Sequence, residues 1–93
     1  MKLTLVEIEF SLPGCRSLKE KRARLRGIRD RYGKLTNVAL CESDYQNVHD
    51  RSLWSFAVVG TDAKSVDQTI DRLQESIEEV VDAVVAENRR EDL

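Results

Sequence analysis

Apolar and polar positions alternate along residues 2–12. Four apolar side chains fall on one face of an extended chain: Val6, Ile8, Phe10 and Leu12. The polar side chains between them fall on the other face: Glu7, Glu9 and Ser11. A period of two with one apolar face predicts a half-buried strand. The pair Pro13-Gly14 then predicts a turn.

A helix is predicted at residues 18–32. Ser17 and Glu20 have the spacing of a capping box, in which the Ser17 hydroxyl accepts from the Glu20 amide and the Glu20 side chain reaches back. The apolar residues that follow have helical spacing: Leu18, Leu25, Ile28 and Tyr32. Gly33 comes next, where a left-handed residue commonly ends a helix.

Two further strands are predicted at residues 36–42 and 52–60. The first is a short apolar run, and the second is rich in aromatic and β-branched residues. The polar segment 43–51 between them is longer than a tight hairpin. We therefore expect the two strands to pair in antiparallel fashion across a polar loop.

A second helix is expected after Asp62, which is a suitable N-cap. Its apolar stripe is Val66, Ile70, Leu73, Ile77 and Val80. The β-branched residues within 80–86 favour a fourth strand after a break near residues 79–82. Extension of the helix is the alternative, because no Gly or Pro marks the break. Residues 88–93 are polar and predicted to be frayed.

This order of elements predicts an α+β fold: a ferredoxin-like β-α-β-β-α-β sandwich, with two helices on one face of an antiparallel sheet. The 93 residues suffice for one core and are too few for two, so 1–93 is predicted to be a single domain. The chain has no apolar run of about 18 residues and no signal-peptide pattern at its start. With only Cys15 and Cys41, it is expected to be a reduced, cytoplasmic protein with no membrane role.

Charge is unevenly distributed along the chain. The overall net charge is −2, yet residues 16–34 hold nine basic side chains against two acidic ones, a net charge of +7. Residues 62–87 hold eight acidic side chains against two basic ones, a net charge of −6. This asymmetry is the strongest functional signal in the composition.

The segment Pro13 to Arg22, read Pro-Gly-Cys-Arg-Ser-Leu-Lys-Glu-Lys-Arg, closely resembles a signature near the start of the YlxP-like family, a bacterial family described as a domain of unknown function. A second region of similarity contains Glu42, Asp44, Gln46, Arg51, Ala57 and Val59. A third is the turn Val59-Gly60-Thr61-Asp62. The resemblance covers almost the whole chain and is weakest beyond Glu79. His49 stands where the family usually has Trp, and Ser55 where it often has Gly.

The resemblance implies a ferredoxin-like fold. It also implies a gene that commonly neighbours those of a translation initiation factor and a ribosome-binding factor. It implies no catalytic residues.

The basic helix has two interpretations. Clustered Arg and Lys are typical of a surface that binds a phosphate-rich partner. The expected contacts to RNA or the ribosome are Arg16, Lys19, Arg22 and Arg26. Ala23 and Gly27 would let a backbone approach closely. The alternative is a solvated face whose charge is balanced by ion pairs with the acidic helix.

Lys21 falls inside the apolar stripe of the first helix. A buried ammonium needs a partner, so we expect a structural ion pair with Glu42 or Asp44. The alternative is that Lys21 extends out of the first turn to solvent.

Trp54 and Phe56 share one face of the third strand. We expect both in the core under the helices. The alternative is contact with RNA or a second subunit on the open face, where aromatic residues of RNA-recognition domains stack bases.

Catalysis is not expected. If the protein were an enzyme, Cys15 and His49 would be the candidate catalytic residues. Cys15 lacks a resolving thiol or base. His49, with Asp44, Asp50 and Cys41, matches no strong zinc spacing, so neither a metal nor another cofactor is expected. Nothing indicates a small-molecule substrate.

The predicted function is a non-catalytic binding module linked to translation, and the alternative is a homo-oligomeric interaction domain, for example a homodimer.

Overall fold

The computed structural model describes residues 1–93 and contains four strands and two helices. The elements in chain order are β1 (Lys2–Ser11), α1 (Leu18–Tyr32), β2 (Val38–Asp44), β3 (Arg51–Gly60), α2 (Ala63–Val80) and β4 (Val84–Asp92). The sheet has the strand order β2-β3-β1-β4, and every neighbouring pair is antiparallel. The predicted α+β, ferredoxin-like class is therefore confirmed.

The core lies between the helices and one face of the sheet. Alternation along β1 and β3 places their buried residues on that face, and cross-strand partners such as Val6–Phe56 and Ile8–Trp54 pack side by side. Phe56 is fully buried and Trp54 is 5% exposed. The expectation that both belong to the core is confirmed. The alternative, in which Trp54 and Phe56 contact RNA or a second subunit on the open face of the sheet, is wrong.

Helix α1 begins and ends where the sequence predicts. The Ser17 hydroxyl accepts from the Glu20 amide at 3.0 Å, although the Glu20 carboxylate contacts Arg24 instead of reaching back. Gly33 is not left-handed: its φ is −67°, and its N–H donates to the Arg29 carbonyl. The chain leaves α1 through a turn in which the Leu35 amide donates to the Tyr32 carbonyl at 3.2 Å, so no left-handed residue is needed there.

Helix α2 is capped as predicted, because an Asp62 carboxylate oxygen accepts from the Ser65 amide at 2.8 Å. It ends at Val80, inside the predicted break. Strand β4 follows at Val84–Asp92, so the alternative of an extended helix is wrong.

The predicted frayed tail at residues 88–93 is wrong, because β4 extends to Asp92 and the Leu93 amide donates to the Leu3 carbonyl at 3.0 Å. Strand β4 lies at the edge of the sheet, where backbone pairing with β1 holds a strand whose side chains are largely exposed. Polar side chains are therefore compatible with the strand. Arg90 pairs with Asp67 of α2, and the Thr4 hydroxyl donates to Asp92.

Strand β2 begins and ends two residues later than predicted. Its pairing with β3 shifts register between Glu42 and Asp44. The loop that follows contains Tyr45, which has a φ of 61° and whose amide donates to the Asp44 carboxylate. Neither α1 nor α2 has the length and apolar composition needed to cross a membrane.

Candidate nucleic-acid interface

One side of α1 carries a ridge of exposed cations. Lys19, Arg22, Arg26 and Arg29 are separated by three or four residues, so they are neighbours on the helix surface, and Arg16 precedes the helix. We call these five residues the basic face: Arg16, Lys19, Arg22, Arg26 and Arg29. All five are exposed and none is within ion-pair distance of a carboxylate. Arg29 was not among the predicted contacts, although its spacing from Arg26 and Arg22 is the same signal.

The acidic helix does not neutralise this face. No ion pair joins a side chain of α1 to one of α2. Arg24 of α1 pairs with Asp82, which lies just after the end of α2. Arg24 is not part of the basic face. The inter-helix ion pairs expected for a solvated, self-balanced face are therefore absent.

Gly27 and Ala23 have different surroundings. A Cβ at Gly27 would meet the Val80 backbone, so the backbone that approaches Gly27 closely belongs to the end of α2 and not to a partner. Ala23 is exposed. Close packing of α1 on α2 at Gly27 leaves the basic face pointing away from this contact.

Lys21 forms the predicted structural ion pair. Its side chain is 3% exposed, and its Nζ lies 2.8 Å from Glu42 Oε2. The same Nζ donates to the carbonyls of Tyr45, at 2.8 Å, and Arg51, at 3.3 Å. Three acceptors match the three hydrogens of an ammonium group, so the buried charge is fully satisfied. The alternative of a solvent-directed Lys21 is wrong.

Asp44 does not take part in that ion pair. It is exposed, and its carboxylate accepts from the Tyr45 amide at 2.7 Å. The register shift after Glu42 places Asp44 at the last position of β2, next to the loop. Glu42 also accepts a hydrogen bond from the Ser52 hydroxyl, through the same Oε2 that contacts Lys21.

The loop beside this ion pair is fixed by Arg51. Its guanidinium carbon lies 4.1 Å from the Tyr45 ring centroid, and its Nη2 donates to Glu9 at 2.8 Å. The hydrogen bond to Glu9 raises the pKa of Arg51 above its ordinary value. Lys21 and Arg51 together anchor the polar loop to α1 and to β1.

A groove of about 430 Å³ runs between α1 and the strands β2 and β3. It is lined by Lys21, Arg22, Leu25, Arg26, Arg29, Glu42 and Trp54. The guanidinium carbon of Arg29 lies 5.1 Å from the Trp54 ring centroid, which is a cation–π distance. The indole Nε1 of Trp54 is buried and has no hydrogen-bond partner. Lys21 and Glu42 are paired with each other, and the three remaining charged residues of the lining are all cationic, so the groove suits an anion.

A larger cavity, of about 500 Å³, lies between the far end of α1 and α2. Its charged lining residues have both signs: Arg31, Arg72, Glu75 and Glu79. Tyr32, whose hydroxyl contacts Ser76, closes part of it. Mixed charge makes this cavity a poorer match to phosphate than the groove beside Trp54.

The candidates for catalysis and metal binding are the two cysteines and His49. Cys15 is buried, with its Sγ 3.5 Å from the Ser17 carbonyl, and Cys41 is exposed, so the two thiols remain free. His49 is exposed in the β2–β3 loop. No group of three or more His, Cys, Asp or Glu side chains is arranged to hold a metal ion.

Fold and surface together define a small ferredoxin-like α+β domain with a charged helical face. The chain belongs to the family described as protein of unknown function (DUF503), which matches residues 3–90. None of the curated proteins compared with the chain matches it.

Proposed function

We propose that this protein is a non-catalytic module that binds RNA, free or within the ribosome, through the basic face of α1. The observation that carries the proposal is the set of five exposed cations without a carboxylate partner, four on one side of α1 and Arg16 just before it. Isolated cations on a helix surface are ordinary. Five neighbours without a carboxylate partner produce a local positive field despite the net charge of −2.

Phosphate binding fits the chemistry of this face. Arg and Lys that contact phosphates release condensed counterions, and that release supplies much of the affinity for nucleic acid. Arg16, Lys19, Arg22 and Arg26 are the proposed phosphate contacts. The acidic residues of α2 would repel the same polyanion, so they favour one orientation of the protein on its partner.

The link to translation comes from the resemblance of residues 13–22 to the YlxP-like signature. Genes of that family commonly neighbour those of a translation initiation factor and a ribosome-binding factor. The proposal accordingly places the protein in the bacterial cytoplasm, as an accessory factor that needs no cofactor.

Sucrose-gradient sedimentation of a tagged copy tests the proposal. We expect salt-sensitive co-migration with a ribosomal subunit or another RNA, removed by RNase and by the combined changes Lys19→Glu, Arg22→Glu and Arg26→Glu. The matched control changes the same number of charges elsewhere: Lys64→Glu, Arg72→Glu and Arg89→Glu, all exposed. Association that survives reversal of the basic face would refute the proposal.

A second candidate function is homo-oligomerisation. The unpaired cations of α1 and the acids of α2 are complementary between two copies, and β1 and β3 carry partly exposed apolar residues on the open face of the sheet: Leu3, Leu5, Leu53, Ala57 and Val59. Light scattering across a salt series tests this alternative. A dimer that dissociates with salt indicates pairing of the helices, a dimer that persists indicates the apolar face, and a monomer at every salt concentration excludes both.

A further inference from the structure

Three arginines without counter-ions line the groove beside Trp54. Arg22, Arg26 and Arg29 follow one another at intervals of four and three residues, so they share one stripe of α1, and all three line the groove. None of them is within ion-pair distance of a carboxylate. Like charges at these spacings destabilise a helix, so the arrangement has a cost that no carboxylate of the chain relieves.

The other two charges of the groove neutralise each other. The Lys21 ammonium lies 2.8 Å from Glu42 and also donates to two backbone carbonyls, so all three of its hydrogens have acceptors within the chain. It has no hydrogen left for a ligand. Four cations and one carboxylate line the groove, and the surplus charge of +3 belongs to the three arginines.

Arg29 is already held at the wall of the groove. Its guanidinium carbon lies 5.1 Å from the ring centroid of Trp54, which also lines the groove. Trp54 is 5% exposed, so the core fixes the position of the ring. A guanidinium that rests on a fixed ring loses less conformational freedom when it binds an anion.

The groove occupies one half of the basic face. Arg16 and Lys19 lie towards the start of α1 and do not line the groove. At a rise of about 1.5 Å per residue, Lys19 is about 10 Å from Arg26 along the helix axis. A nucleic-acid strand with one end in the groove therefore passes Lys19 and Arg16 as it continues along α1.

Phosphate groups differ in what they offer to three guanidinium groups. An internal phosphodiester carries a single negative charge and two free oxygens. A terminal phosphate monoester carries a charge of about −1.5 to −2 at pH 7 and three acceptor oxygens. The monoester therefore matches the surplus charge and the three planar donor groups of the arginines better than the diester does. The groove volume of about 430 Å³ falls within the range of roughly 300–1,000 Å³ that small-molecule sites occupy.

We propose that the groove is a site for the phosphorylated end of an RNA strand. Arg22, Arg26 and Arg29 donate to the oxygens of the terminal phosphate, and Lys19 and Arg16 contact the internal phosphates that follow. The inference rests on the proposed function, because the strand lies on the basic face. It adds recognition of a strand end, which contacts to internal phosphates do not supply.

Binding of matched RNAs to the intact protein tests the proposal. The probes are a short single-stranded RNA with a 5′-phosphate, the same RNA with a 3′-phosphate, and the same RNA with hydroxyl groups at both ends. We expect at least one phosphorylated form to bind about tenfold more tightly than the hydroxyl form, the gain typical of a hydrogen bond to a charged group. A hydroxyl-ended RNA that is two nucleotides longer carries about the same total charge as the phosphorylated RNA and should lack this gain.

Two variants separate the groove from the rest of the basic face. Arg29→Gln removes a groove guanidinium that is not among the proposed contacts to internal phosphates. We expect it to remove most of the preference for the phosphorylated end and to change affinity for the hydroxyl form little. Lys19→Gln, exposed and outside the groove, should weaken both forms by the same factor and keep the preference. General damage to the fold lowers both affinities together, so their ratio identifies the site.

The outcomes separate the two proposals. Equal affinity for phosphorylated and hydroxyl-ended RNA, with binding still dependent on the basic face, overturns the groove and leaves the proposed function standing. A preference that survives Arg29→Gln unchanged also overturns the groove. A free nucleoside monophosphate that binds as tightly as the phosphorylated RNA overturns recognition of a strand end. Absence of any RNA binding by the unmodified protein overturns both proposals.

Discussion

The backbone carbonyl of Val80 lies against Gly27, so closely that a Cβ at position 27 would be 1.8 Å from the carbonyl oxygen. Beside this contact, the Asp82 amide donates to the Arg24 carbonyl at 2.9 Å, and Arg24 Nε donates back to the Asp82 carbonyl at 2.7 Å. The end of α2 is thus docked backbone to backbone on the middle of α1. This docking sets the direction in which the basic face points.

Substitution of Gly27 by alanine should destabilise the protein. Alanine is favoured over glycine within a helix by about 1 kcal/mol. At Gly27 this gain is outweighed by overpacking, which we expect to give a net loss of about 2 kcal/mol in the free energy of unfolding. Urea unfolding measures the difference.

Ala23→Gly is the control, because Ala23 is exposed on the same helix and should show the intrinsic helix term alone, about 1 kcal/mol. A Gly27→Ala protein as stable as the unmodified chain would mean that α2 can move away from α1 without cost.

Loss of the carboxylate that faces Lys21 should be among the most damaging single changes. Glu42→Gln leaves a 3% exposed ammonium without its counter-ion. We expect a loss of about 3 kcal/mol in the free energy of unfolding, the lower end for a broken buried pair, because the Glu42 side chain is partly exposed.

A double-mutant cycle isolates the interaction between these residues. Lys21→Met removes the cation, after which Glu42→Gln should cost far less than in the unmodified protein. Lys19→Met, two residues away and exposed, should change stability by less than about 0.5 kcal/mol. Additive effects of Lys21→Met and Glu42→Gln would show that the two side chains do not depend on each other.

Local signals made α1 and the start of α2 predictable. The Ser17–Glu20 spacing and the Asp62 cap are each contained within four residues, and the apolar stripes repeat over several turns. The first and last residues of strand β4 could not be predicted from local signals. Its register and its hydrogen bonds come from β1, about 80 residues earlier, so its polar end has no local strand signal.

The candidate site was predictable in part. Helical spacing alone places Lys19, Arg22 and Arg26 together, and the apolar stripe identifies Lys21 as a buried cation that needs a carboxylate. Which carboxylate it meets depends on the register shift after Glu42. The unpartnered Nε1 of Trp54 depends on packing between β3 and α1, for which the sequence has no marker.

Acid should weaken the attachment of β4 through Asp92. The hydrogen bond from Thr4 lowers the pKa of Asp92 below its ordinary value, with further help from the charges of Lys2 and Arg90. The folded-state pKa is therefore below that of the unfolded chain. The contribution of Asp92 to the free energy of unfolding is therefore present above its unfolded-state pKa of about 3.9. It is lost as the pH falls through the pKa of Asp92 in the folded protein.

Thermal unfolding midpoints measured from about pH 5 to about pH 2 test this. Asp92→Asn should show a shallower decline in stability across this range than the unmodified protein. Glu91→Gln makes the same charge change at a neighbouring exposed residue with no ion pair or side-chain hydrogen bond, and should retain the original slope. Equal slopes for the unmodified and Asp92→Asn proteins would contradict the role of this carboxylate.

Salt should weaken RNA binding in proportion to the number of cations on the basic face that contact phosphates. For single-stranded RNA, the slope of log K against log salt is about −0.7 for each contact, so four contacts predict a slope of about −3. Neutralising three of them, as Lys19→Gln, Arg22→Gln and Arg26→Gln together, should reduce the slope to about −1.

Fluorescence anisotropy of a labelled RNA across a salt series gives both slopes. The control neutralises three exposed cations outside the basic face: Lys64→Gln, Arg72→Gln and Arg89→Gln. It changes the net charge by the same amount and should keep the original slope, because the slope depends on phosphate contacts and not on overall charge. If the control flattens the slope as much as the test variant does, binding is governed by net charge, and α1 has no special part in it.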